Sequence, residues 1–419
     1  MQFRFAFLLA ATVCATAAPA QTIDRRTQAR IDRILRSTPL IDGHNDLPWE
    51  LREKYGSSVA GLESGTDKLE KPLMTDMARL HAGRVGAQFW SVYIDADTHG
   101  DEAIRQTIEQ IDIVHRLVKA YPKDLALAGT ASDIIRAHKR GKVASLIGIE
   151  GGHQIAGNLA AMRAYYRLGA RYITLTHFLT TDWADSATDD PKHGGLTDFG
   201  RAAVHEMNRL GMLVDLSHVS ATTMKDALQS TRAPVIFSHS GAYAVDRHPR
   251  NVPDDVLALL PANGGVVMAN FYTVYVSQAL RDWNVASAME DARLKALYPD
   301  RPGQRELEKN AWKAAHPKPV ATIAQVADHI DHIARVAGHD HVGIGGDLDG
   351  IDSAPEGLQT VAGYPLLFAE LIRRGWSDRD LAKLAGGNVL RAMRDAEAVA
   401  ESMRNEPPSM ATLTSAPQK

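Results

Sequence analysis

The sequence predicts an α/β fold, and within that class a (β/α)8 TIM-like barrel. Three observations predict it. Eight short apolar runs rich in β-branched residues recur along the chain, the pattern of parallel strands buried on both faces. Helical patterns with capping residues alternate with them. No glycine-rich phosphate loop follows the first run, so the open doubly wound sheet lacks its usual signature.

Taken in order, the first twenty residues, "MQFRFAFLLAATVCATAAPA", join a basic start at Arg4 to an apolar run and small residues at Ala18 and Ala20. That reads as a secretory signal peptide over 1–20, cleaved after Ala20. Residues 21–404 are then expected to form one barrel domain. Ile31, Ile34 and Leu35 give 23–37 the spacing of an amphipathic lead-in helix. The strand runs are 39–44, 87–94, 143–150, 172–177, 212–218, 234–239, 265–271 and 342–347. Helical patterns begin at Asp101, Gly157, Thr197, Ser220, Pro253, Ile323, Leu366 and Ser377, and Gly169 and Gly211 stand where a helix stops. The charged segment 275–320 breaks the rhythm and is expected to be a helical insertion on the barrel rim. Residues 405–419 read as a disordered tail.

Bulk properties narrow the function. With 419 residues, 45% hydrophobic, the chain has material for a large core. Its net charge is −3 and its basic residues are scattered, which argues against a nucleic-acid partner. The one cysteine, Cys14, lies in the leader behind Val13, a poor fit to the small residue expected before a lipidated cysteine. The mature chain therefore has no thiol, which suits an exported, periplasmic location. No membrane anchor is evident: beyond the leader no run reaches eighteen apolar residues, and the tail "NEPPSMATLTSAPQK" is polar.

Chemistry gathers at the strand ends, where barrels of this kind place their working groups. The first run ends in His44 and Asp46, the third in Glu150, the fourth in His177, the fifth in His218, the sixth in His239 and the eighth in Asp347. Four imidazoles and three carboxylates facing one cavity are costly to desolvate unless cations neutralise them. A pair of divalent metals does so, and histidine and carboxylate donors without thiolate favour Zn²⁺, with Mn²⁺ or Co²⁺ as other occupants. Surface positions are expected for His115, His138, His205, His329, His332, His339 and His341. Trp49, Phe178 and Trp183 are expected at the cavity wall or in the core. By strand alternation Asp42 shares a face with His44 and is expected to orient a ligand imidazole.

The blocks "DGHNDLPW", "GIEGGH", "LTH", "GLTDFG", "DLSHVS", "PVIFSHS", "RNVPDD", "NFY" and "GIGGDLDG" resemble, in this order over about 38–395, the renal-type membrane dipeptidases, zinc enzymes of the amidohydrolase superfamily. The resemblance implies that His44 and Asp46 hold one zinc, that His218 and His239 hold a second, and that Glu150 bridges them. It implies that His177 contacts the substrate carbonyl, that Arg250 binds the substrate's terminal carboxylate, and that Asp347 carries the proton. A hydroxide shared by two Zn²⁺ would then attack the amide of a dipeptide, L,L or L,D. A homodimer is the family expectation, while the disulfides and lipid-anchor tail of vertebrate members have no counterpart here. Two other readings compete: an amidohydrolase of N-acyl amino acids, lactams or lactones with the same dinuclear site, and an exported binding protein that has lost catalysis.

Overall fold

The structure, a computed structural model, describes residues 22–413; the expected leader over 1–20 and residues 414–419 lie outside the described residues. Nine parallel strands form the sheet: β1 (Leu40–Asn45), β2 (Val85–Tyr93), β3 (Leu125–Leu127), β4 (Val143–Glu150), β5 (Ala170–Thr174), β6 (Leu213–Asp215), β7 (Val235–Phe237), β8 (Val266–Ala269) and β9 (Val342–Ile344). Eight of them close a barrel in the order β1-β2-β4-β5-β6-β7-β8-β9, with β9 returning to β1 through Asp42 opposite Ile344. All eight expected runs are barrel strands. The extra strand, β3, pairs with Val143–Ser145 of β4 below the stretch Ile147–Glu150 that β5 takes.

Several strands end sooner than the apolar runs suggest. Hydrogen-bonded pairing in β6, β7 and β9 stops after three residues, and the site-bearing residues that follow leave the sheet in loops. Barrel strands buried on both faces need no alternation, which is why their runs read as continuously apolar.

The helices follow from local chemistry. Asp24 caps the lead-in helix Arg25–Ser37 by accepting from the amides of Arg26 and Thr27, and Ile31, Ile34 and Leu35 form its buried face. Thr197 caps the helix Asp198–Leu210, which ends at Gly211 in the left-handed conformation that glycine adopts at least cost. Thr322 and Gln325 form a capping box on the helix Ile323–Ala337. The helix expected from Ser377 is instead broken into Asp378–Ala382 and Asn388–Ser402 by a wide turn at Lys383–Gly387, where Gly386 packs its backbone onto the Pro39 carbonyl too closely for a Cβ.

The 275–320 segment holds two helices, Gln278–Leu297 and Pro302–Ala315, held together by Trp283 against Trp312 and by Lys309 on Asp291. The expected disorder of the tail is corrected for 405–413. Ser409 donates its amide to Glu206 and accepts from Arg163, and Thr412 bridges to Asn158. Glu206, buried, and Arg163, half-buried, supply contacts that composition alone does not reveal.

Candidate metal centre

Parallel closure aims every strand's C-terminal end at one mouth, and the expected site residues meet there around a cavity of about 180 Å³. Its focus is a single oxygen. Glu150 Oε1 lies 3.1 Å from His218 Nε2, 3.4 Å from His44 Nε2, 3.4 Å from His239 Nε2 and 3.7 Å from His177 Nε2. Asp46 Oδ2 stands 3.2 Å from His44 Nε2, and Asp347 Oδ1 stands 4.0 Å from it. All of these residues are buried. Trp49, Tyr93, Phe178, Tyr272, Tyr275 and Ile351 complete the wall.

The donor set fits divalent metal. Donor atoms about 2.1 Å from a tetrahedral zinc stand roughly 3.4 Å from one another, and the spacings around Glu150 Oε1 scatter about that value. His44 Nε2 and Asp46 Oδ1 are buried without a hydrogen-bond partner, an arrangement that a cation between them relieves. The donors sort into two overlapping sets, His44 with Asp46 and Glu150, and His218 with His239 and Glu150. A third combination joins His44, His239 and Asp347.

Electrostatics separate the carboxylates. Burial and the nearby Asp46 and Glu150 raise the Asp347 carboxyl well above its ordinary range, although His44 opposes them. Glu150 goes the other way: burial alone would raise it, but His44, His177, His218 and His239 hold it well below the usual value. Burial lowers His177 to about 3, so its ring is neutral at physiological pH. Asn270 Nδ2 donates to Asp347 Oδ2 at 3.0 Å, leaving Oδ1 turned toward the centre.

Two site residues carry backbone strain. His218 has φ +68° and Asp347 φ +59°, left-handed values that non-glycine residues adopt at a cost. Both lie just beyond a three-residue strand, where this turn redirects the chain.

Arg250 sits behind the wall rather than on it. Its side chain is 0% exposed, Nη1 donates to Ser240 Oγ at 3.2 Å, Nη2 donates to the His239 carbonyl at 3.1 Å, and Nε has no partner. The ring of Tyr275, a wall residue, lies 5.4 Å from its Cζ. Among the described residues Arg250 forms no ion pair, an expensive state for a buried cation.

Several expectations are corrected. Asp42 does not touch an imidazole. Its Oδ1 accepts the amides of His44 at 3.2 Å and Gly346 at 2.9 Å, and its Oδ2 accepts from Tyr364, so it staples the end of β1 to the loop that carries Asp347. Of the two places expected for the aromatic residues, Trp183 takes the core, against Phe199, and Trp49 and Phe178 take the cavity wall, Phe178 with 47% of its surface open. His329, His332 and His341 are buried, not superficial. His329 accepts from the Ala242 amide and donates to the Val276 carbonyl, fastening the loop after β7 to the base of the insertion. His332 pairs with Asp254, and His341 donates to the Gly265 carbonyl. A histidine among charged neighbours on a helix faces inward when loop backbone offers it partners, and helical spacing does not show that.

Sequence reasoning also missed Tyr172, Ser238 and Asn270, whose polar atoms contact His44, His239 and Asp347 from behind, and Asp215, which holds Ser238. A signal was present for one of them. "IDGH" and "VDLSH" each set an aspartate shortly before a strand-end histidine, and Asp215 repeats what Asp42 does, its Oδ1 accepting the amides of Ser217 and Ser238.

Among the described residues no helix is long and apolar enough to cross a membrane. The same fold is found in the probable dipeptidase PvdM from Pseudomonas aeruginosa, with 24% identity, a TM-score of 0.76, and coverage of 90% of this chain and 100% of that one. It is also found in a metallo peptidase from Rhodobacter sphaeroides liganded with a phosphinate mimic of the dipeptide L-Ala-D-Ala, with 22% identity, a TM-score of 0.69, and coverage of 86% and 99%. Residues 28–407 match the family model described as "Membrane dipeptidase (Peptidase family M19)", and the chain belongs to that family of metallo-dipeptidases.

Proposed function

We propose that the protein is a dinuclear zinc dipeptidase that hydrolyses L,L and L,D dipeptides and is exported to the periplasm. The observation that carries the reading is the convergence of four imidazole nitrogens on Glu150 Oε1, with Asp46 and Asp347 beside them. His44 and Asp46 would hold one Zn²⁺, His218 and His239 the other, and Glu150 both. When bound, the metals supply Lewis acidity that makes a water nucleophilic near neutral pH.

The remaining steps belong to side chains. Asp347, whose burial raises its affinity for a proton, would in its ionised form take the proton of the attacking water and return it to the departing amine, which cannot leave as an amide anion. His177, neutral and on the cavity wall, contacts the scissile carbonyl and stabilises the charge that develops on its oxygen. Arg250, one layer behind the wall beside Tyr275, would supply the positive charge for the substrate's terminal carboxylate, a role that accords with its lack of a counter-ion. The dipeptide mimic held by the Rhodobacter sphaeroides enzyme is of the same substrate class.

The test is release of free amino acids from a panel of L,L and L,D dipeptides, with and without a chelator, beside N-acyl amino acids and lactams. Turnover of dipeptides that disappears on metal removal and returns with Zn²⁺ is expected. Dipeptide turnover that persists in fully metal-free protein would overturn the proposal, and turnover confined to acyl amino acids would replace the substrate.

A further inference from the structure

Two of the four imidazoles are fixed in one tautomer by hydroxyls that lie outside the cavity. Ser238 Oγ is 2.8 Å from His239 Nδ1 and 2.6 Å from Asp215 Oδ2. Asp215 also takes the amides of Ser217 and Ser238 and the hydroxyl of Thr174, so it acts only as an acceptor. The single Ser238 proton therefore points at Asp215, and the serine's lone pair receives a proton from His239 Nδ1. Tyr172 repeats the device. Its hydroxyl is 3.2 Å from the Gly43 carbonyl, which can only accept, and 2.9 Å from His44 Nδ1, so it donates to the first and receives from the second.

Both rings thereby carry a proton at Nδ1, which leaves Nε2 as the lone-pair nitrogen whenever the ring is neutral, and each Nε2 faces Glu150 Oε1 at 3.4 Å. In the neutral rings those two lone pairs repel a carboxylate oxygen unless a cation lies between, which is the arrangement that metal binding requires. The fold makes room for the arrangement: Gly148 of β4 abuts the Tyr172 ring so closely that any Cβ would collide with it. His218 and His177 have no partner at Nδ1.

We propose that Ser238, held by Asp215, and Tyr172 are positioning residues that lock His239 and His44 as metal-ready tautomers, one for each metal position. This rests on the dinuclear reading above. Partners of ligating histidines at this distance are worth 10–100-fold in metal affinity as a rule of thumb, so losses of about that size are expected.

The test uses the full metal-loaded chain and three variants, Ser238→Ala, Ser238→Thr and Tyr172→Phe. Zn²⁺ affinity at each position is measured by chelator competition, ligand geometry by the visible spectrum of the Co²⁺-substituted protein, and fold integrity by Tm of the metal-free forms. Ser238→Ala should weaken one position and Tyr172→Phe the other, each shifting the Co²⁺ bands, while Ser238→Thr, which keeps a hydroxyl, restores both readouts. Metal-free Tm should fall only modestly for Tyr172→Phe, which keeps the packed ring but strands the Gly43 carbonyl and His44 Nδ1. A wild-type chain that binds no metal overturns the dinuclear reading itself. A wild-type chain with two metals, beside variants with unchanged affinities and spectra, overturns the positioning role alone. So does an equal loss at both positions that tracks a fall in metal-free Tm, because general loosening then explains it.

Discussion

Arg250→Met separates a substrate anchor from a structural arginine. The guanidinium has five N–H donors, and the structure gives partners to one on Nη1 and one on Nη2, leaving the rest, with Nε, for a ligand. Removing one member of a buried, hydrogen-bonded charge pair costs about 2–5 kcal/mol, which is between about 30-fold and about 5,000-fold in kcat/KM. If the contact is the same in ground and transition states, the loss falls mainly on KM. Folding responds differently, because the variant surrenders two hydrogen bonds but also relieves a buried cation that has no counter-ion; these effects oppose each other. The assay compares a dipeptide with the same dipeptide amidated at its C-terminus, in wild type and variant, alongside urea unfolding of the metal-free proteins. The amide, which has no carboxylate to lose, should suffer far less than the acid from the substitution. Equal losses on acid and amide, together with a large drop in stability, would show that Arg250 serves the fold rather than the substrate.

Glu150→Gln should abolish retention of both metals, since Oε1 is the atom shared by the two donor sets, and metal analysis after gel filtration checks it. Asp347→Asn should retain metal but lower kcat by roughly 10²–10⁴, the usual worth of a positioned proton carrier, as steady-state kinetics on metal-replete protein would show. Asp246→Asn tests pH-dependent stability. Burial, only partly offset by Arg281 at 3.5 Å, pushes the Asp246 carboxyl up from 3.8 to about 6. The native state therefore holds the proton more tightly than the unfolded chain, and the stabilisation present below about pH 4 is lost as pH rises through 6. Between pH 5 and 8 wild type should lose about 1.4 kcal/mol more than the variant in urea midpoints, and a constant difference would refute the assignment.

The barrel is legible because burial on both faces imposes a simple rule on composition, and eight continuous apolar runs satisfy it. β3 escapes that rule: it is three residues long, ends in the exposed Leu127, and is defined only by its pairing with β4. The convergent donors are legible for a topological reason, since a parallel barrel brings strand ends together whatever their separation in sequence. What stands behind them is not. Tyr172 reaches His44 across the barrel from β5, and Ser238 is bound to Asp215 of a neighbouring strand, contacts between residues whose local sequence contains no sign of each other. Asp42 shows the same limit in reverse. Strand alternation places it on the His44 face, but alternation cannot tell a ring from a backbone amide, and the amides of His44 and Gly346 take it.

The distribution of strain follows from strand length. His44 and Glu150 belong to strands of six and eight residues, and the sheet itself aims them into the mouth. His218 and Asp347 follow strands of only three residues and are turned by left-handed backbone, each at a cost of about 1–3 kcal/mol. The carboxylates of Asp215 and Asp42 stand where that cost arises. One binds the amides of Ser217 and Ser238 beside His218, the other the amides of His44 and Gly346 beside Asp347. Each closes a gap between adjacent strand ends that sheet hydrogen bonds no longer span. Where those strands stop after three residues, the two buried aspartates hold the amides that sheet pairing no longer holds.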